Sequence, residues 1–220
     1  MTNSHHFPAN ANQRGFTLVE MSIVLVIIGA LLYGVLKSQA IISSAKAKDV
    51  VAMVGDLRTA TAYFKQRYSY LPGDLPLPFN YISANPVLTA AAGTNGNGVI
   101  DGAVSAAGAA ALGSEVAQAP LQLYSAGIIG TISSATPTNY LNTTYGPVHI
   151  VSAAVANGLV PSFTANNPTA INAIVIFDLP CDVANEVDSK LDDGNLTTGY
   201  GQGSAVCVGT NTLPVYALPL

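Results

Sequence analysis

The sequence predicts an α+β protein: a long N-terminal α-helix packed on a small antiparallel β-sheet head. Three features predict it. An apolar run near the N-terminus continues into an amphipathic helical pattern. A Pro-Gly turn then stops that pattern, and short apolar segments bounded by Gly or Pro fill the second half of the chain.

From residue 16 to 36 every side chain is apolar, small or weakly polar except Glu20, and Lys37 ends the run. About 20 such residues span a bilayer as a helix. A secretory signal would place bases before an apolar stretch and a small-residue cleavage site after it. Here a polar stretch, residues 1–15 with His5 and His6, comes first, and no such site follows. The apolar segment is therefore expected to be retained.

The helical pattern continues over residues 37–68. Val50, Val54, Leu57, Thr61, Phe64 and Tyr68 recur at spacings of four and three on one face, while Lys46, Lys48, Asp49, Asp56 and Arg58 fall largely elsewhere. A stripe at this spacing is core packing rather than a cofactor site. A helix over 16–68 would be about 80 Å long at 1.5 Å per residue. Gly29 and Gly34 are its weakest helix formers, each costing about 1 kcal/mol relative to Ala, so any loosening on assembly is expected there.

Residues 69–220 form the expected globular head. Tyr70, Leu71, Pro72, Gly73 and Asp74 read as a helix stop and turn, and Pro76 and Pro78 prevent resumption. Residues 84–113, rich in Ala, Gly, Asn and Thr, read as a surface loop. Within them the 95–101 string, Asn-Gly-Asn-Gly-Val-Ile-Asp, resembles half of a calcium loop. Gly93 and Val104 stand where the first and last ligands belong, which favours a plain turn. Ser114 opens a short helix over 115–129, limited by Pro120. Strands are expected at 148–151, 174–177, 205–208 and 213–218, with His149 a packing or surface residue. Val183, Ala184, Val187 and Leu191 define an amphipathic helix starting near Pro180 and ending at Asp193 and Gly194.

Charge is sparse, 9% of residues, and unevenly placed. Six of the eight bases lie between positions 37 and 68. Beyond position 69 nine acids face the single base Lys190. A head so poor in cations repels phosphate backbones, so it is not expected to bind nucleic acid. Cys181 and Cys207 have no CxxC spacing and no nearby His. In an exported chain they are expected to form one disulfide, closing a loop of about 27 residues, for which chain entropy gives about 3.5 kcal/mol. The alternative is two buried thiols.

The junction Arg14-Gly15-Phe16-Thr17-Leu18-Val19-Glu20 resembles the type IV prepilin and type II secretion pseudopilin family, whose leader is removed after a Gly that precedes a Phe and, at the fifth mature position, a Glu. The resemblance implies that a prepilin peptidase cleaves between Gly15 and Phe16, discarding residues 1–15, and N-methylates Phe16. It implies that Glu20, costly if unpaired in lipid, pairs with the positive terminus of a neighbouring subunit during assembly. Many type IV pilins carry a Pro about a third of the way along this helix. This chain has Lys37 and its neighbours there, which leans toward a pseudopilin or minor pilin.

The resemblance implies a non-enzymatic structural subunit of a type IV pilus or type II secretion pseudopilus with no cofactor. It would be a single-pass bacterial inner-membrane protein with a periplasmic head before assembly, then part of a filament of its own kind. Its partners would be the peptidase and an inner-membrane assembly platform. The alternative is a low-abundance minor pilin at the tip, recognising a surface, secreted protein or sugar through a patch including Tyr140, Tyr145 or Tyr200. A hydrolase is disfavoured, because beyond the leader there is one His and no GxSxG. Concentrated carboxylates can hold Ca²⁺, as some pseudopilins do to fix a C-terminal loop; Asp188, Asp192 and Asp193, beside the turn, are the candidates, against a solvated acidic helix. The acidic head is also a candidate to contact the basic middle of a neighbour's helix.

Overall fold

The computed structural model describes residues 15–77, 80–82, 96–132, 141–207 and 211–220. The chain divides into two compact units, Met1–Ile42 and Ser43–Leu220. The described part of the first unit is helical from Leu18 onward and belongs to α1 (Leu18–Tyr68, 51 residues), which runs unbroken through Gly29 and Gly34. The helix begins two residues later than the sequence suggests because Thr17 is its cap.

In the second unit the pattern along α1 does what its spacing requires. Val50, Val54, Leu57, Thr61, Phe64 and Tyr68 are buried, joined by Ala47 and Ala60, while Lys46, Lys48, Asp49, Asp56 and Arg58 are exposed. Phe64 is the bulkiest member of the stripe with no exposure, and its ring packs 4.6 Å from that of Tyr68. The helix stops through Ser69, whose left-handed backbone (φ 65°) brings its N–H to the Lys65 carbonyl. This is the αL end that Gly or Asn usually supplies.

The head carries α2 (Glu115–Ser125), β1 (Leu141–Asn142), β2 (Pro147–Ser152), α3 (Ala153–Leu159), α4 (Phe163–Asn166), β3 (Asn172–Pro180), α5 (Cys181–Leu191), β4 (Gln202–Gly203) and β5 (Thr212–Pro219). The sheet is antiparallel throughout, in the order β1-β2-β3-β5-β4. Its centre is the pairing of Ile174 with both Ile150 and Leu218. Residues 173–177 of β3 are buried without alternation, which requires cover on both faces. Side chains of α1, α2, α3 and α5 supply that cover and join the sheet in a single apolar core.

The structure corrects several boundaries. The expected strand at 205–208 is absent over its described part, 205–207; the pairing segment is β4, three residues earlier, where Gln202 opposes Ala217. β1, α3 and α4 were not expected; they are two, seven and four residues long, too short to set up a periodic pattern. α2 is capped by Ser114, whose side chain accepts the Ala117 N–H, and stays helical past Pro120, ending at Ser125 rather than 129. It is buried from Glu115 to Leu123, so packing on every side outweighs the one backbone bond that Pro removes. The stretch 96–113 is not purely surface, since Ile100 and Ala110 are core residues. Residues 84–95 of that loop, Pro78 and Val208 lie outside the described residues.

Replacing Phe64 with Ala should destabilise the head by about 3 to 5 kcal/mol, the usual cost of deleting a fully buried aromatic ring. Chemical denaturation of the detergent-solubilised protein measures it, and a cost below about 1 kcal/mol would mean that α1 is not docked in this way.

Candidate functional site

The N-terminal site is built on the first turn of α1. The Thr17 side-chain oxygen accepts the Glu20 backbone N–H at 3.2 Å, and the Thr17 carbonyl accepts the Met21 N–H. Two donors that a helix start leaves orphaned are thereby satisfied. Thr17 and Glu20 stand at the spacing of a capping box, and the Glu20 carboxylate sits in the first turn, where the helix dipole favours negative charge. Sequence reasoning quoted Thr17 without assigning it a role; the Thr-x-x-Glu spacing was the available signal.

Around this turn the surface is apolar. Phe16 is 76% exposed and Leu18 91%. An 18-residue window of α1 reaches mean hydropathy 2.4 with none of it buried, so the segment is long and apolar enough to cross a membrane. Two of its serine hydroxyls are bonded to its own backbone: Ser22 donates to the Val19 carbonyl and Ser38 to that of Val35, both at 2.8 Å. Polar groups satisfied within the helix suit surroundings without water. Gly15 is described and exposed, while His5, His6 and the rest of residues 1–14 lie outside the described residues.

The family described as Prokaryotic N-terminal methylation motif matches residues 10–36. The chain carries the type IV prepilin and pseudopilin leader motif. The match covers the leader and the first part of α1, and it supports a type IV pilin-like or pseudopilin-like protein. The motif implies processing by prepilin peptidase and assembly into filaments, and with the apolar start of α1 it fits a membrane-anchored precursor. No curated protein and no solved structure matches the chain.

Toward the other end of the chain, Cys181 and Cys207 form a disulfide that ties the start of α5 to the segment after β4. The three candidate metal ligands sit inside the loop it closes and are engaged separately. Asp188 is fully buried and accepts the Tyr216 hydroxyl of β5 at 2.7 Å. Asp192 accepts the Gly201 N–H at 2.8 Å, and Asp193 accepts the Asn195 N–H and the Thr198 hydroxyl. A side chain at Gly201 would collide with Tyr216 and Asp188, and one at Gly199 with the Asp192 carboxylate. Among the described residues no three His, Cys, Asp or Glu side chains gather as a metal site. The solvated-helix reading holds for Asp182 but not for Asp188, which follows Ala184 by four residues and therefore lies on the buried face.

Other candidates resolve into packing. The 96–98 turn is held by Asp74, a buried carboxylate that accepts the Asn97 and Gly98 N–H groups. Gly93 and Asn95 lie outside the described residues, and Val104 is in a short bridge with Ala110. His149 is buried on β2, with Nε2 2.8 Å from the Gly108 carbonyl and its ring edge-on to Phe177; burial pushes its pKa down. Tyr145 lines a recess beside Lys46, Asp49 and Met53, whereas Tyr200 lines a different groove with Arg58. Tyr140 lies outside the described residues. Within the chain, Glu186 bonds Ser44 and Lys190 and feels Lys48, which together hold its carboxyl below the usual range.

Burial, reinforced by the charges of Asp192 and Asp193, raises the Asp188 pKa despite the Tyr216 bond. A raised folded-state pKa gives stability that is complete below the ordinary value of about 3.9 and is lost as pH rises through the folded one. Asp188→Asn keeps an acceptor for Tyr216 and removes the charge. Its thermal midpoint should gain on that of wild type as pH rises from about 4; a constant difference would show that folding does not raise the Asp188 pKa. Cys207→Ser should cost about 2 to 5 kcal/mol, read by the same melting curves.

Proposed function

We infer that this chain is a structural subunit of a type IV pilus or type II secretion pseudopilus, cleaved by prepilin peptidase and polymerised through α1. The observation that carries the reading is the joint between the motif and the helix. Cleavage after Gly15 would place a new amine on Phe16, one turn from Glu20, at the start of a helix whose surface is apolar on every side. Such a surface is compatible with lipid or with a filament core of like helices, and incompatible with water. In either medium the Glu20 carboxylate requires a positive partner, and the N-methylated Phe16 amine of another subunit supplies one of opposite sign.

On this reading the protein is held in the bacterial inner membrane with its head in the periplasm, then passed by an assembly platform into the filament. It performs no catalysis and needs no cofactor. The tip-binding alternative is less well supported, because Tyr145 and Tyr200 line separate recesses rather than one aromatic patch.

Intact-mass and N-terminal peptide spectrometry of sheared filaments and of membranes should find a chain beginning at N-methyl-Phe16; retention of residues 1–15 in filaments would overturn the reading. Replacing Gly15 with a bulky residue should leave the precursor uncut. Glu20→Ala should be cut normally yet enter filaments at least tenfold less well than wild type, and equal incorporation would remove the charge-pairing account.

A further inference from the structure

The second unit carries unpaired charge of opposite sign at two levels along α1. At one level, Arg58 and Lys65 line a groove of about 530 Å³ together with Ile171 and Tyr200, which are 63% and 66% exposed. Between residues 50 and 68 the only carboxylate on α1 is Asp56, against Arg58, Lys65 and Arg67. Arg58 uses one nitrogen on the Pro219 carbonyl, which leaves most of its donor fork available. Neither Arg58 nor Lys65 makes a salt bridge among the described residues.

At the other level, Tyr145 packs in the recess beside Lys46, Asp49 and Met53. Its neighbour Gly146 lies against the Phe177 carbonyl and the Asp178 side chain, which brings Asp178 to the same level. Asp182 follows in the first turn of α5. Asp178 and Asp182 are both exposed, and neither makes a salt bridge among the described residues. The cations nearby are engaged otherwise: Lys190 pairs with Glu186 at 3.1 Å, Lys48 faces Glu186, and Lys46 shares its recess with Asp49.

Arg58 and Lys65 stand 9 and 16 residues beyond Asp49, about 14 and 24 Å along the helix. That exceeds the screening length of about 8 Å at physiological salt, so these charges cannot neutralise one another within a copy. A second copy displaced along the helix axis brings them together. A contact between two different surfaces of identical chains is heterologous, the type that generates open helical filaments.

We propose that in the filament the Arg58 and Lys65 groove of one copy receives Asp178 and Asp182 of another, with Ile171 and Tyr200 covered by the contact. The proposal rests on the polymerisation reading above. Ion pairs of this exposed kind add little affinity; their effect is to fix which heights of neighbouring heads meet.

Zero-length carbodiimide coupling of intact filaments, which joins an amine to a carboxylate in contact, tests it by peptide mass spectrometry. A Lys65 peptide joined to the peptide carrying Asp178 or Asp182 is expected. Mixed filaments of isotope-labelled and unlabelled protein should show that link between copies. The Lys190 to Glu186 link within a copy serves as the internal standard. Finding the standard without any Lys65 link to these acids would overturn the proposal. Lys65→Glu and Asp182→Lys should each lower filament yield, and the double variant should restore it; a double variant no better than the singles counts against the pairing. If wild type itself forms no filaments, the polymerisation reading fails first, an outcome distinct from filaments that assemble without this link.

Discussion

One helix has to satisfy two solvents, and the rest of the molecule follows from that constraint. The start of α1 is largely apolar around its circumference, with its serine hydroxyls bonded to its own backbone, so it presents little for water to solvate apart from Glu20 and the Tyr33 hydroxyl. From Ala47 onward the same helix is amphipathic, and its stripe is buried in the head. The change needs no break in the backbone. It requires only that apolar residues occupy nearly every position in one part and about every third or fourth in the other.

The head meets that stripe with a sheet whose central strand is buried on both faces, which leaves little room for charge. Carboxylates that do enter the interior serve as ties between segments distant in sequence. Asp74, just past the end of α1, fastens the 97–98 turn. Glu115, at the start of α2, accepts the Asp101 N–H, and Asp188 on α5 meets Tyr216 on β5. Each fixes a loop or helix that apolar contact would leave free to slide. For Asp74 and Asp188 the cost is visible as pKa values raised by burial. The disulfide acts on the same segment as Asp188, so the region after α5 is held both covalently and by hydrogen bonds.

Elements with a long period were legible in the sequence and those without one were not. The stripe from Val50 to Tyr68 recurs over five turns, and β2, β3 and β5 are apolar runs with clear boundaries, so their existence followed from composition and spacing. β1 and β4 are two residues each and exist only because a neighbouring strand offers a free edge; no local pattern could announce them. The leader motif at residues 10–36 was legible because such a motif needs fixed residue types at fixed spacing. Asp188 was misjudged for the opposite reason: an acid among acids looks solvated until its position relative to Ala184 and Cys181 is counted on the helix. The pairing of Glu186 with Ser44 was invisible because it depends on how α5 packs against α1.

Thr17 sharpens what Glu20 is for. An acid at the third position of a helix often serves the cap, reaching back to the backbone of the capping residue. Here Thr17 already accepts the Glu20 amide, and among the described residues no donor is bonded to the Glu20 carboxylate. Its charge is also the only one between Phe16 and Leu36, in a segment where every other feature suppresses polarity. The Thr17 cap already gives the helix a favourable start without a carboxylate's desolvation cost. Retaining it makes physical sense if a cation arrives from outside the chain, and the cleavage proposed after Gly15 would create one at the start of every identical copy.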